Sequence, residues 1–119
     1  IKTFRIEAVR DGDLFQFTPS ADDPILHTWG DSPDRDGLAI SHVYAQLVKT
    51  CGGVECEVWT KDRIENHKEK HVRDWSNASS KWVTEWLSMA KKTVILALLR
   101  SGRIYLSTEC INQLESGGN

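Results

Sequence analysis

The sequence predicts an α+β fold: an antiparallel sheet made of two hairpins, packed against C-terminal helices. Three observations lead there. Apolar residues recur every second position through the first half of the chain. They recur at helical spacing through the second half. Asp11-Gly12 and Gly52-Gly53, steps that turn strands, both fall before residue 60. At 119 residues, one domain is the default. Its expected layout is a core over residues 1–106, with the sheet in 1–60 and helices in 61–100. A short helix and flexible tail over 107–119 follow.

Residues 3–9 alternate, with Phe4, Ile6 and Ala8 on one face. Asp11-Gly12 signals a hairpin, and a two-residue loop would set Ala8 against Phe15 and Ile6 against Phe17. Residues 19–37 hold all three prolines and predict a long irregular connection, with a short extended piece around Ile25 to Trp29. A longer strand is expected over 38–50, where Val43, Ala45 and Leu47 alternate with His42, Tyr44 and Gln46. Gly52-Gly53 turns the chain into a further strand carrying Val54, Cys56 and Val58. A two-residue loop there places Cys56 opposite Lys49 rather than Cys51, which argues against a disulfide between the two cysteines.

The period then changes. Thr60 is an N-cap candidate and Asp62 sits in the first turn, so a helix is expected over about 61–75, burying Ile64, His71, Val72 and Trp75. Ser76 to Ser80 is a polar break. A stronger helix is expected over 81–100, with Val83, Trp86, Leu87, Ala90, Val94 and Leu98 as its core line. Ser107 caps the expected last short helix.

Composition excludes several functions. The longest apolar run, Val94 to Leu99, is too short to cross a membrane, and no secretory leader is legible. Three widely spaced cysteines read as reduced thiols of a cytosolic protein. The first residue is Ile1, so the chain is expected to begin inside a longer gene product or to be trimmed from one. No phosphate loop and no nucleophile elbow is present. Asp31, Asp34 and Asp36 precede Gly37, but Val43 stands where a calcium loop closes with Glu. His67 and His71 have zinc-pair spacing, yet Lys68 follows the first and no third ligand is placed. No metal, cofactor or catalytic residue is therefore expected.

Charge is the positive signal. The net charge is −2, but residues 1–60 carry 5 Lys+Arg against 10 Asp+Glu, and residues 61–119 carry 10 against 7. Within 81–106 the ratio is five to one. At 100° per residue, Lys81, Glu85, Ser88 and Lys92 share one stripe opposite the core line; Arg103 continues it, Arg100 flanks it, and Lys91 lies about a quarter-turn away. An ordinary solvated face is the plain alternative, although such faces usually mix signs. Cations beside an aromatic suit single-stranded nucleic acid. Lys91, Lys92, Arg100 and Arg103 are the expected phosphate contacts, with Lys81 next. Trp82, nearer the stripe than the core anchor Trp86, is the expected base-stacking residue.

This segment resembles the RecT family of single-strand annealing proteins, which phages and prophages encode for homologous recombination. Ser80-Lys81-Trp82 followed by Met89-Ala90-Lys91-Lys92-Thr93-Val94-Ile95 carries the likeness. The upstream order fits as well: strand Val43 to Lys49, turn Gly52-Gly53, strand Val54 to Thr60, and the helix start Lys61-Asp62-Arg63-Ile64-Glu65. The resemblance covers roughly residues 1–106. It implies a non-enzymatic protein of the bacterial host cytoplasm that binds single-stranded DNA and anneals complementary strands without ATP. It also implies a homo-oligomeric ring or filament, and a companion exonuclease or host single-strand-binding protein as partner. Two departures stand out. Leu96 and Ala97 occupy positions where the family usually carries two basic residues, and the family's N-terminal portion is missing ahead of Ile1. The chain then reads as a core fragment or a divergent, minimal member. The competing expectation is an α+β structural or protein-interaction module that has lost DNA binding.

Overall fold

The computed structural model describes residues 3–50 and 52–101. The chain runs β1 (Thr3–Arg10), β2 (Leu14–Phe17), β3 (Ile25–Thr28), a 3-10 turn (Arg35–Gly37), β4 (Ile40–Val48), β5 (Val54–Thr60), α1 (Lys61–His71), α2 (Lys81–Thr84) and α3 (Trp86–Arg100). It is an α+β fold with antiparallel pairing throughout. The expected short helix after Ser107 and the tail lie outside the described residues.

Three layers stack on one another. The central sheet has the order β1-β4-β5, and β2-β3 form a separate two-stranded sheet. Because successive side chains of a strand point to opposite faces, β4 serves both neighbours. Val43, Ala45 and Leu47 face the helices, where Ala8, Trp59, Ile64, Trp82, Ala90, Val94 and Leu98 close the larger core. Tyr44, with Val9 and Cys56, faces the β2-β3 layer and buries Ile25, with Phe15 packed alongside.

Two hairpins exist, β2-β3 and β4-β5, and only the second is one of the two drawn from the sequence. The turn at Asp11-Gly12 forms: the Asp13 amide donates to the Arg10 carbonyl at 3.0 Å, and Gly12 takes φ +88°, which favours glycine. The chain then leaves the sheet. β1 pairs with β4 (Ile6 opposite Ala45, Ala8 opposite Val43), and β2 pairs with β3 (Phe15 opposite His27). The expected partnerships of Ala8 with Phe15 and Ile6 with Phe17 are therefore corrected. The cause is long-range, since the Asp13 carboxylate is drawn to Arg35 and His27 and pulls β2 over the second face of the sheet.

The β4-β5 hairpin is present with a longer turn than expected. Val48 lies opposite Val54, the Lys49 amide donates to the Gly53 carbonyl at 2.7 Å, and Gly52 adopts φ +97°. Cys56 consequently faces Gln46, not Lys49.

α1 starts where expected, with the Thr60 hydroxyl accepting the Arg63 amide at 3.2 Å. It stops at His71 rather than 75, because Val72 turns extended and a run of polar turns follows. Trp75 still packs on the core, beneath the buried Lys68, whose ammonium lies 4.1 Å from the ring centre and pairs with Glu65.

The expected helix over 81–100 is broken. Ser80 caps α2, accepting the Trp82 amide, and Glu85 leaves the helical region at φ −137°, ψ 53°. This single step resets the helical phase. Trp82 turns inward to 5% exposure and Val83 turns outward to 54%. Val83 is therefore not a core residue.

Candidate nucleic-acid interface

α3 packs its Ala90, Val94 and Leu98 line into the larger core, and this fixes what it shows to solvent. Lys92 and Arg100 are exposed on α3, Lys81 is exposed on α2, and Lys91 is half-buried on the flank. On an ideal helix, Arg100 lies about 80° around from Lys92, and Lys91 lies on the other side of Lys92. The basic groups thus span the outer surface of α3 rather than a single line. Among the described residues, no carboxylate lies within ion-pairing distance of these four cations, whereas Arg35, Lys49, Arg63 and Lys68 all have acidic partners. Arg103 lies outside the described residues.

Trp82 does not join them. Buried in the larger core with Val94, it offers no ring face to a base, so the stacking role expected of it does not fit its position. Trp86 is half-buried at the start of α3. Its indole N–H donates to Glu65 at 3.2 Å, and the Lys61 ammonium sits 5.8 Å from its ring. Leu96 and Ala97 line a cleft between α3, α1 and β5, while Leu99 stands exposed.

That cleft holds functional groups the sequence reading did not gather. It has a volume of about 280 Å³ and is lined by Trp59, His67, Thr93, Leu96, Ala97 and Arg100. The His67 ring meets Trp59 edge-on with centroids 5.4 Å apart, and His71 lies 4.6 Å from His67. The Arg63 guanidinium covers Trp59 at 4.1 Å. Burial, then the neighbouring His71 and Arg63, hold His67 below its ordinary value. The available signal was the spacing Arg63-His67-His71, one turn apart on α1, but Trp59 and Arg100 reach it only through folding.

The β2-β3 layer is fastened by a buried polar network. Asp13 accepts from Arg35 through both guanidinium positions, from the Gly30 amide at 2.7 Å and from the Arg10 amide at 3.1 Å. Its carboxylate also meets His27 Nε2 at 2.8 Å, and His27 Nδ1 meets the Tyr44 hydroxyl at 2.8 Å. An ionised Asp13 calls for a proton on Nε2, which in the neutral ring leaves Nδ1 to accept from Tyr44. Arg35 above all, then His27 and the two amides, holds Asp13 far below the usual carboxylate range, against the opposing effect of burial. Burial pushes the Tyr44 hydroxyl up to about 12. Asp13 and His27 side chains are wholly enclosed, so this triad is a fastening rather than a reaction centre. No group of three or more metal-ligating side chains occurs among the described residues.

Comparison with known proteins places this arrangement. The model of the RecT family matches residues 1–109, which is nearly the whole chain. This chain belongs to the RecT family. The RecT protein of Escherichia coli strain K12 is 36% identical over 102 residues, covering 84% of this chain and 35% of that protein. The chain therefore spans about a third of the length of that curated relative. No solved structure matches this RecT-family chain. The matched residues include α3, which carries Lys91, Lys92 and Arg100. Among the described residues no helix is long and apolar enough to cross a membrane.

Proposed function

We propose that this chain binds single-stranded DNA through the outer surface of α2 and α3 and anneals complementary strands without ATP. The observation that carries this reading is the set Lys81, Lys91, Lys92 and Arg100, none of which has a carboxylate partner among the described residues. Unpaired cations on a rigid helix neutralise phosphates and release their counterions. Contacts directed at the backbone leave bases free to find a complement. Annealing makes and breaks no covalent bond, so the chemistry asks only for screening and alignment. Membership of the RecT family and similarity to the E. coli RecT protein support the assignment.

Each protomer offers few contacts, so a strand is held by several copies acting together. The outer edges of β1 and β5 are unpaired among the described residues and are the natural places for copies to meet, in a ring or a filament. A companion exonuclease that supplies single strands, or a host single-strand-binding protein, belongs to the same proposal. So does action in the cytoplasm of a bacterial host.

Titration of fluorescein-labelled oligo-dT by anisotropy tests the reading. Affinity should fall with salt, with a log–log slope of about −0.7 per phosphate neutralised. Lack of binding at 50 mM salt rejects it.

A second reading rests on the β2-β3 layer, where Leu14, Phe17, Leu26 and Trp29 are exposed apolar groups. A non-enzymatic interaction module would use such a patch. It predicts no response to oligo-dT at any salt concentration.

A further inference from the structure

The cleft between α1 and α3 gathers more positive and titratable groups than its packing requires. His67 and Arg100 line it, with Trp59 as its floor. His71 adjoins His67, and Arg63 covers the Trp59 ring. The surrounding groups are these. From α1 come Arg63 and His71. From β5 comes Glu57, already engaged by the Trp59 indole N–H at 2.8 Å and by Arg63 at 3.9 Å. From α3 come Arg100 and the Thr93 hydroxyl, which donates to the Met89 carbonyl at 2.9 Å. The charges acting on His67 are the second imidazole and Arg63, with Arg100 on the cleft wall and one committed carboxylate nearby. Such a field suits an anion and disfavours a second cation.

We propose that this cleft is a phosphate site at which His67, beside His71, takes up a proton as a nucleic acid strand binds, so that the protein grips single-stranded DNA more tightly as pH falls. The inference rests on the strand-binding reading above and deepens it, extending the strand's path from Lys92 past Arg100 and onto α1. Without a strand, burial and neighbouring cations keep His67 neutral at neutral pH. A phosphodiester seated among His67, His71, Arg63 and Arg100 reverses the balance, because a nearby negative charge favours the protonated imidazole. The proton comes from solvent and rests on a ring nitrogen, and the phosphate oxygen accepts the new N–H bond. The sign follows from linkage: a group whose bound-state value is raised above its free value strengthens binding below that window and weakens it above.

The test measures oligo-dT affinity by anisotropy from pH 5.5 to 8.5 at fixed ionic strength, for the unmodified protein, His67→Gln, His71→Gln and the double variant. One proton taken up per bound strand gives about a tenfold gain per pH unit as pH falls between the free and bound values. The double variant should lose this pH dependence, and the unmodified protein should keep it. Circular dichroism of each variant guards against misfolding. A pH-independent unmodified protein, or a double variant with an undiminished slope, overturns the proposal. If the unmodified protein binds no oligonucleotide at any pH, the strand-binding reading fails by itself. The cleft is then decided by NMR titration of the two imidazoles with inorganic pyrophosphate. A raised midpoint for His67 supports the anion site, and an unmoved one overturns it.

Discussion

Asp13 and Arg35, 22 residues apart, are joined by two parallel hydrogen bonds, Nε to Oδ1 at 2.9 Å and Nη2 to Oδ2 at 2.5 Å. Paired geometry of this kind is the strongest arrangement available to a guanidinium and a carboxylate. It lies at the junction of β1, β2 and the 3-10 turn, and it decides that β2 crosses over the sheet instead of extending it.

Asp13→Asn should destabilise the domain by about 3–5 kcal/mol, because a largely enclosed guanidinium is left without its counter-charge. The pH dependence has a defined sign. Asp13 is depressed in the folded state, so its contribution is complete above the unfolded carboxylate value of about 4 and is lost as pH falls below it. Urea melts at pH 7 and pH 3 check this: the gap between the parent and Asp13→Asn should narrow markedly at pH 3.

Tyr44→Phe removes the hydroxyl that donates to His27 Nδ1 and leaves that nitrogen buried without a partner. A loss of about 1–3 kcal/mol is expected, measured by thermal melting. A neutral result would mean that the Nδ1–Tyr44 contact contributes nothing to stability.

The break at Glu85 separates two neighbouring substitutions. Trp82→Ala should cost about 3–5 kcal/mol, since it empties a core position. Val83→Ala should stay within about 0.5 kcal/mol. An unbroken helix over 81–100 predicts the reverse order, so denaturant midpoints of the two variants decide between them.

Lys92→Ala and Arg100→Ala should each weaken oligo-dT binding and lower the salt slope by about 0.7, while circular dichroism and melting temperature stay near the parent. Val94→Asp, by contrast, should unfold the chain by burying an unpaired charge. A large stability loss on Lys92→Ala would show that the face of α3 has been misjudged.

Local signals are legible in the sequence. Alternation around Val43, Ala45 and Leu47 placed the face of β4 that meets the helices, and Thr60 capped α1 as its side-chain chemistry dictates. The α+β class and the positions of Lys92 and Arg100 on the surface also follow from periodicity alone. What escaped depends on distance along the chain. Nothing near Leu14 announces that Asp13 will be captured by Arg35 and His27. Glu85 is a good helix former, so its departure from the helix leaves no local trace, and with it went the roles of Trp82 and Val83. The cleft at Trp59 required residues from three elements that only packing unites.

Strand β4 sends Tyr44 into one core and Leu47 into the other, and both side chains are completely enclosed. The two cores therefore share a wall and have no separate existence. Loss of the β2-β3 layer uncovers Tyr44, loosens the strand that carries Val43 and Leu47, and so removes the floor beneath α3. The domain should melt as one cooperative unit, with β4 amides the last to exchange with deuterium. The helix proposed to face DNA then depends for its footing on an aspartate in the opposite layer, and under that proposal a lesion there would be felt as slack in the grip on a strand it never touches.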